Sequence, residues 1–437
     1  MHTISFTRLG LLAVLAAAAA PLAAQQRVDT LSRAKRDSIA VADSIRLVRE
    51  FEQLQKGAAN RDSITVRGGS SGPTNPRLMP DISAVGDFVF DGSPKGSTIG
   101  DKTKRADVRE VEIAIQAAVD PYFRGDIFLG ISDAEKISIE QAFLTTTSLP
   151  GQFELRIGRY LMPVGKLNVT HRHDLHTIDY PWALQRLLSE DGLKGTGVMA
   201  VRVFAPFGFY QELNVAVIDR FGERPEGLQT AEPLNKHLTG LTYAARLRNY
   251  WDLSQSTNVE ISGSAMTGLR EQEVVPNAQF AQTFPGVNAI GARQSLLGGD
   301  ITLRWRPLQQ GLYKSFILQA EVLSQRNKAP GVSYDAEYLG PVRNVTGGYA
   351  FARYQIAARS FVGGRYDFVQ TANPGLMKGL RASSGYLEFF PSEFSKLILA
   401  AERIFQGGLE SGMPSDKVTR LLAQATFALG PHKPHPF

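Results

Sequence analysis

The 437-residue chain has no cysteine. That excludes a disulfide framework and any thiolate-bound metal. Long apolar runs are also scarce. After the first N-terminal stretch, none approaches the roughly 18–20 uncharged residues a helix needs to span a bilayer. No basic block or stacking-aromatic motif stands out. Lys and Arg total 48, Asp and Glu 42, and the two signs are interspersed, so nucleic acid is not an expected partner. No Gly-x-Ser-x-Gly elbow or phosphate-cradling glycine loop occurs, and Thr170 and Ser189 are not part of a recognisable triad. Neither an enzyme nor a cofactor is expected.

The N-terminus reads as a secretory signal over residues 1–24. Met1 to Arg8 form a short leader, Leu11 to Ala20 an apolar run too short to span a bilayer, and Pro21-Leu22-Ala23-Ala24 a small-residue cleavage site before Gln25. Residues 25–57 read as a helical arm in the periplasm. Leu31, Ala34, Val41, Ile45 and Val48 share one seam at a spacing of about 3.5 residues, with charges elsewhere. Two readings stand side by side: a short coiled coil supporting a trimer, or a solvated amphipathic arm. Residues 58–80, rich in Gly, Ser, Asn and Pro, read as a linker.

From Asp81 to Phe437 the period changes to two. Val111, Ile113 and Ile115 alternate with Glu110, Glu112 and Gln116, and Phe153, Leu155 and Ile157 alternate with Glu154 and Arg156. Val259 and Ile261 alternate with Glu260, Ile301 and Leu303 with Thr302 and Arg304, and Leu318, Ala320 and Val322 with Gln319 and Glu321. Strand side chains point alternately to opposite faces, so one face is apolar and the other polar. A mean hydropathy of −0.14 with 41 glycines suits that pattern. A soluble sandwich alternates in the same way. Three features favour a transmembrane antiparallel β-barrel of about sixteen strands, an all-β fold. Runs of about ten residues recur to the end of the chain, the length of a tilted membrane strand. Connections alternate between tight turns, such as Asp120-Pro121 and Ala205 to Gly208, and long loops, such as Arg220 to His237 and Gly268 to Arg293. Aromatics (Tyr122, Phe207, Phe209, Tyr210, Tyr250, Trp251, Phe389, Phe390, Phe394) gather beside the tight turns, as at a membrane rim.

The third outward connection, residues 161–194, is the densest in chemistry. It carries His171, Arg172, His173, Asp174 and His176. Imidazoles and carboxylates at this spacing fit two roles. They could pin the loop to the inner wall by hydrogen bonds, or His171, His173 and His176 could hold a borderline divalent ion. The polar strand faces place Glu110, Glu112, Arg124, Glu154, Arg156, Arg202, Glu212, Arg246, Arg304, Glu321, Arg353 and Arg365 in the lumen. There they would keep it wet or set a transverse field.

Phe153 to Lys166 contains Gly158-Arg159-x-x-x-Pro163-x-Gly165, and the chain ends in Phe437. On these residues the segment 80–437 resembles the bacterial outer-membrane porin superfamily, in particular the phosphate-selective-porin-like (porin O/P) group. The resemblance implies an outer-membrane location and a passive channel for small hydrophilic solutes or ions, with the third loop as its constriction. It also implies lipid and lipopolysaccharide around the barrel, insertion by the barrel-assembly machinery, and a homotrimer. Two alternatives remain: a receptor for metal or siderophore uptake powered by an inner-membrane partner, and a barrel that conducts nothing.

Overall fold

The computed structural model describes residues 80–430, apart from 133–135, 223–226, 228, 231–235, 274–277, 284, 328–343, 371–378 and 407–415. The signal segment, the arm, nearly all of the linker, and the tail with His432, His435 and Phe437 lie outside the described residues. What is described is one closed barrel of sixteen strands.

The strands are β1 (Asp81–Asp91), β2 (Ala106–Ala118), β3 (Phe123–Ser132), β4 (Lys136–Thr146), β5 (Phe153–Leu161), β6 (Lys194–Phe204), β7 (Tyr210–Ile218) and β8 (Thr242–Ser254). They continue as β9 (Thr257–Glu273), β10 (Ala289–Trp305), β11 (Phe316–Asn327), β12 (Val345–Ala357), β13 (Ser360–Val369), β14 (Leu380–Ser392), β15 (Ser395–Gln406) and β16 (Asp416–Leu429). Each pairs antiparallel with its neighbours in sequence, and β1 pairs with β16 from Ala84↔Leu429 to Asp91↔Leu422. Closure pairs the edge that an open sheet would present to another chain.

The period-two pattern becomes two surfaces. Phe153 and Ile157 on β5, Ile261 on β9, Ile301 on β10 and Leu318 and Val322 on β11 lie on the outside and are exposed. With Leu387, Leu397, Leu399 and Leu421 they make an apolar outer belt, the surface a bilayer covers. The aromatic rim forms only in part. Tyr122, Phe207, Phe389 and Phe394 are exposed at the tight-turn end, but Phe390 turns inward and packs edge-on against Phe361. Tyr210 bonds Glu212 inside.

Several expected boundaries move. β9 and β10 extend into the expected long loop, so their connection begins only after Glu273. β14 runs through Ser392 and β15 begins at Ser395, so only two residues separate them. The third outward loop covers 162–193 rather than 161–194, because Leu161 and Lys194 still pair.

Besides register shifts beside the tight turns at Asp252/Ser254, Gln355/Ala357 and Phe389/Ser392, two β-bulges lie within the strands and break the simple alternation. Register shifts at Asp87/Phe88 and at Phe128/Leu129 leave Arg109 on β2 and Glu140 on β4 as extra residues. A bulge puts neighbouring side chains on the same face. Arg109 joins Glu110 inside, and Glu140 joins Gln141. On β4 the outward apolar phase accordingly switches from Ile137 and Ile139 to Ala142 and Leu144.

The outward register of β5 generates a direct test. Leu155→Arg should cost barrel stability, by less than the about 2–4 kcal/mol of an Arg at a bilayer midplane, because position 155 faces outward two residues from the start of β5. Because the chain has no cysteine, single cysteines at 155 and 156 can be labelled cleanly with a membrane-impermeant reagent. Position 156 should react through the aqueous lumen and position 155 should not; equal labelling would place the register wrongly.

Candidate functional site: a loop folded into the lumen

The connection between β5 and β6 turns inward and is largely buried. Its entry explains the glycine spacing. Gly158 has φ +137°, where a Cβ would press on the Ala142 carbonyl, and Gly165 has φ +69°, where a Cβ would meet the Glu321 carboxylate. Gly165 N–H donates to Ser264 Oγ at 3.1 Å. The loop then closes on itself. The Asn168 amide donates to the carbonyls of Met162 (2.8 Å) and Leu193 (3.0 Å) and accepts Leu193 N–H at 2.6 Å, so one fully buried side chain ties both ends.

The wall grips the loop through charge at several places. Arg109 donates to Asp87, to the Ile178 carbonyl (2.9 Å) and to Asp179 (2.8 Å). Arg420 reaches the other Asp179 oxygen at 2.9 Å. Arg365 donates to Thr177 Oγ1 (2.9 Å) and the Asp179 carbonyl (2.7 Å), and pairs with Asp367. Lys396 Nζ donates to the carbonyls of His173 and Leu175, the latter at 2.7 Å. Trp182 donates N–H to Asp367 (3.1 Å) and Nε1–H to Glu402 (3.0 Å) at the start of a short helix, α1 (Trp182–Leu187). Lys166 pairs with Glu260 at 2.6 Å. Irregular backbone at membrane depth survives only when protein or water satisfies its polar groups, and these contacts do so.

Apolar packing does the rest. Ala183, Leu184, Leu187 and Leu193 join one buried cluster with Met199, Ile218, Met266, Leu296, Leu323, Tyr349 and Phe351. These wall residues occupy the face expected to be polar. The inner wall is therefore mixed: apolar where α1 docks, charged around it.

The expected lumen residues sort as follows. Glu112, Arg246, Glu321, Arg353 and Arg365 face inward and are buried. Arg246 pairs with Asp300 at 3.2 Å, Arg353 with Glu388 at 2.6 Å, and Glu321 accepts Tyr349 O–H at 3.1 Å. Glu212 pairs with Arg248 (3.1 Å), Arg304 with Glu260 (3.5 Å), Arg156 with Glu154 (3.3 Å) and Arg124 with Asp126 (2.8 Å). Glu110 also faces inward, and among the described residues it has no hydrogen bond or ion pair. Arg202 is the exception. It pairs across from outward Phe153, is exposed, and lays its guanidinium 4.9 Å from that ring. Inward positions on β6 are odd-numbered, with Met199 buried. Arg202 therefore sits on the outer face near the tight-turn rim, where a long cation can reach water over an aromatic.

The His/Asp cluster divides. His171 Nδ1 lies 2.6 Å from Glu112 Oε2, and its Nε2 lies 2.8 Å from Gln141 Nε2. Gln141 Oε1 accepts Leu161 N–H, so its amide nitrogen faces the ring and His171 accepts there. That fixes the neutral tautomer with Nδ1–H on Glu112. The His173 ring stands 5.4 Å from that of His171, and its Nε2 is 3.7 Å from Asp174. His176 leaves the group. It stacks on Phe351 and approaches Glu388 at 3.4 Å, so a metal set of three histidines does not assemble. The polar atoms of Glu112, His171 and His173 do converge, all within 4.8 Å of one another.

The loop's ionisable groups respond to these surroundings. Burial pushes His173 down to about 4, and burial with the neighbouring Arg353 cation also lowers His176. Burial acts the same way on His171, but the Glu112 carboxylate outweighs it and the pKa is raised. Burial would raise Asp179, yet Arg420 and Arg109 hold it well below the carboxylate range.

A narrow polar slot lies beside the loop, lined by Glu110, Glu112, Glu140, His171, Arg172 and Lys194, with a cavity of about 20 Å³. Lys194 pairs with Glu140, and Arg172 with Asp191. A second cavity of about 690 Å³ includes Ser83, Gln116, His173, Asp174 and Arg304 in its lining. Glu112 and His171 line both cavities. The two bulges build the slot, since they bring Glu140 inward and set Arg109 beside Glu110. Neither effect follows from strict alternation. The available signal was a charged residue, Arg109, on the apolar face of β2.

No protein-family profile matches the sequence. The chain is similar to an uncharacterised protein of Aquifex aeolicus (strain VF5), 26% identical over 397 residues, covering 82% of this chain and 80% of that one. Among solved structures it is similar to a loop-deletion mutant of OmpT, an outer membrane protein of Vibrio cholerae, with TM-score 0.51 and 11% identity over 80% of this chain and 99% of that one. It is also similar to OprB of Pseudomonas putida (TM-score 0.51, 10% identity, 80% and 94%) and to the outer membrane channel DcaP of Acinetobacter baumannii (TM-score 0.50, 11% identity, 80% and 98%). At these identities the likeness is one of fold: a closed sixteen-stranded barrel of the porin type.

The loop's anchorage has a measurable consequence. Asp179→Ala removes the carboxylate that Arg109 and Arg420 share, but Arg109 keeps Asp87 and Arg420 keeps Glu402, so the cost should fall below the about 3–5 kcal/mol of a buried charge left unpaired. The barrel ladder does not use Asp179, so heat-resistant migration of the folded barrel should persist. Limited proteolysis should begin to cut within 162–193. A loop as protected as in the parent would show that this carboxylate does not hold it.

Proposed function

We propose that this protein is an outer-membrane channel that passes small ions through the slot between its third loop and the wall formed by β2–β4. The observation that carries this reading is the meeting of two cavities at Glu112 and His171, beside a loop whose helix α1 is packed into an apolar cluster. The apolar outer belt and the fold shared with outer-membrane proteins support the location. The slot cavity of about 20 Å³ is near the space of one water, which favours ions over sugar-sized solutes. Glu110 and Glu112 exceed the cations paired in the slot, which favours cations over anions. The segment Gly158–Gly165 supports kinship with the phosphate-selective-porin-like group. A homotrimer, a periplasmic arm at 25–57 and insertion by the barrel-assembly machinery belong to the same proposal. A channel of this design needs no catalytic group.

An uptake receptor needs about twenty-two strands around a plug domain, and the barrel has sixteen. A non-conducting barrel is the second reading. The apolar cluster that α1 shares with so much of the wall favours it.

Planar-bilayer recording separates the two. The parent should show small, cation-preferring unitary currents, and deleting 168–179 should raise conductance several-fold. Absence of current in the parent together with large current in the deletion would make the loop a seal. A reversal potential favouring anions would remove the role given to Glu110 and Glu112.

A further inference from the structure

We propose that Glu112, His171 and His173 form a binding site for a zinc-class divalent ion, which closes the polar slot when bound. The closure rests on the channel reading above; the binding does not. The three side chains come from two elements, β2 and the inward loop, and their ligand atoms lie within 4.8 Å of one another. Tetrahedral zinc with bonds of 2.0–2.1 Å needs ligand atoms about 3.3 Å apart. His171 Nδ1 and Glu112 Oε2, now 2.6 Å apart, must therefore separate by well under an ångström. The ion takes the place of the proton they share. His173, whose ring stands 5.4 Å from that of His171, supplies the third ligand. The fourth position opens on the 690 Å³ cavity that all three residues line, where Asp174 or water can complete the tetrahedron.

The donor set selects the metal. Two imidazoles and one carboxylate suit zinc, copper or nickel, whereas magnesium and calcium prefer all-oxygen shells. Gln141 sets the affinity. When His171 binds through Nδ1, its Nε2 must carry the proton and needs an acceptor. Gln141 now presents its amide nitrogen there, because its oxygen accepts Leu161 N–H. Metal binding requires that amide to turn over and release Leu161. Gln141→Glu offers an oxygen to both groups, so this one substitution should tighten binding. A purely structural role for Gln141 does not foresee that.

The test uses untagged, folded full-length protein with His432 and His435 changed to Gln, so that the tail does not compete. Zinc chloride titrated by calorimetry should bind with one-to-one stoichiometry, and magnesium chloride should not bind. His171→Gln and Glu112→Gln should each weaken zinc by about 100-fold, His176→Gln should not, and Gln141→Glu should tighten it by about 10-fold. Heat-modifiable migration checks that each variant is folded. Unchanged zinc affinity in a folded His171→Gln, His173→Gln double variant overturns the site, as does affinity lost equally in His176→Gln. In planar bilayers, zinc should abolish the parent current and a chelator restore it, with no block in His171→Gln. Zinc bound without any block of a conducting channel overturns the closure. Zinc bound to a protein that never conducts leaves the site standing and removes the channel reading.

Discussion

A loop held inside a barrel must find partners there for its peptide groups, and the rest of this structure follows from that requirement. The lumen of a sixteen-stranded barrel is too wide for wall side chains to fill. Residues 162–193 enter it, and carbonyls at His173, Leu175, Ile178 and Asp179 are met by Lys396, Arg109 and Arg365. Asp179 sits between Arg109 and Arg420 and draws together β2, β16 and the loop. These buried charges are tolerable because each is paired and hydrogen-bonded.

The inner wall is matched to this guest. Where α1 docks on β11–β13, the inward positions include Leu323, Val345, Tyr349 and Val369, all in one buried cluster with the helix. Where the loop turns past β2–β4, they are Glu110, Glu112, Glu140 and Gln141. The division of the wall leaves the polar route at one side of the lumen, with Glu112 and His171 at its narrow point. A bulge costs a ladder bond, but here each one brings a charged residue inward: Arg109 onto Asp179, Glu140 onto Lys194.

The strand count and the closure were legible in the sequence. They depend on period-two runs and on connection length, which survive in one dimension. Among the charged residues read as lumen-facing, Arg202 lies on the outer face next to a tight turn. There β6 carries Met199, Val201 and Val203 inward, and a charge marks the rim rather than the pore. Phe390 failed for the mirrored reason: an aromatic beside a turn can face inward to cover Arg353, whose guanidinium stands 6.0 Å from its ring.

The sequence by itself determined a closed antiparallel barrel, because strand length and the alternation of short and long connections, added to the period of two, can be read along the chain. It also placed the histidine-bearing connection between the fifth and sixth strands, because that follows from counting. Only the tertiary structure decided which histidines meet. His171 and His173 turn to Glu112, residues distant in sequence, and His176 turns to Glu388 on the opposite side of the loop. Only the tertiary structure placed the bulges, because register between neighbouring strands is fixed by pairs of chains, and neither chain carries that information alone.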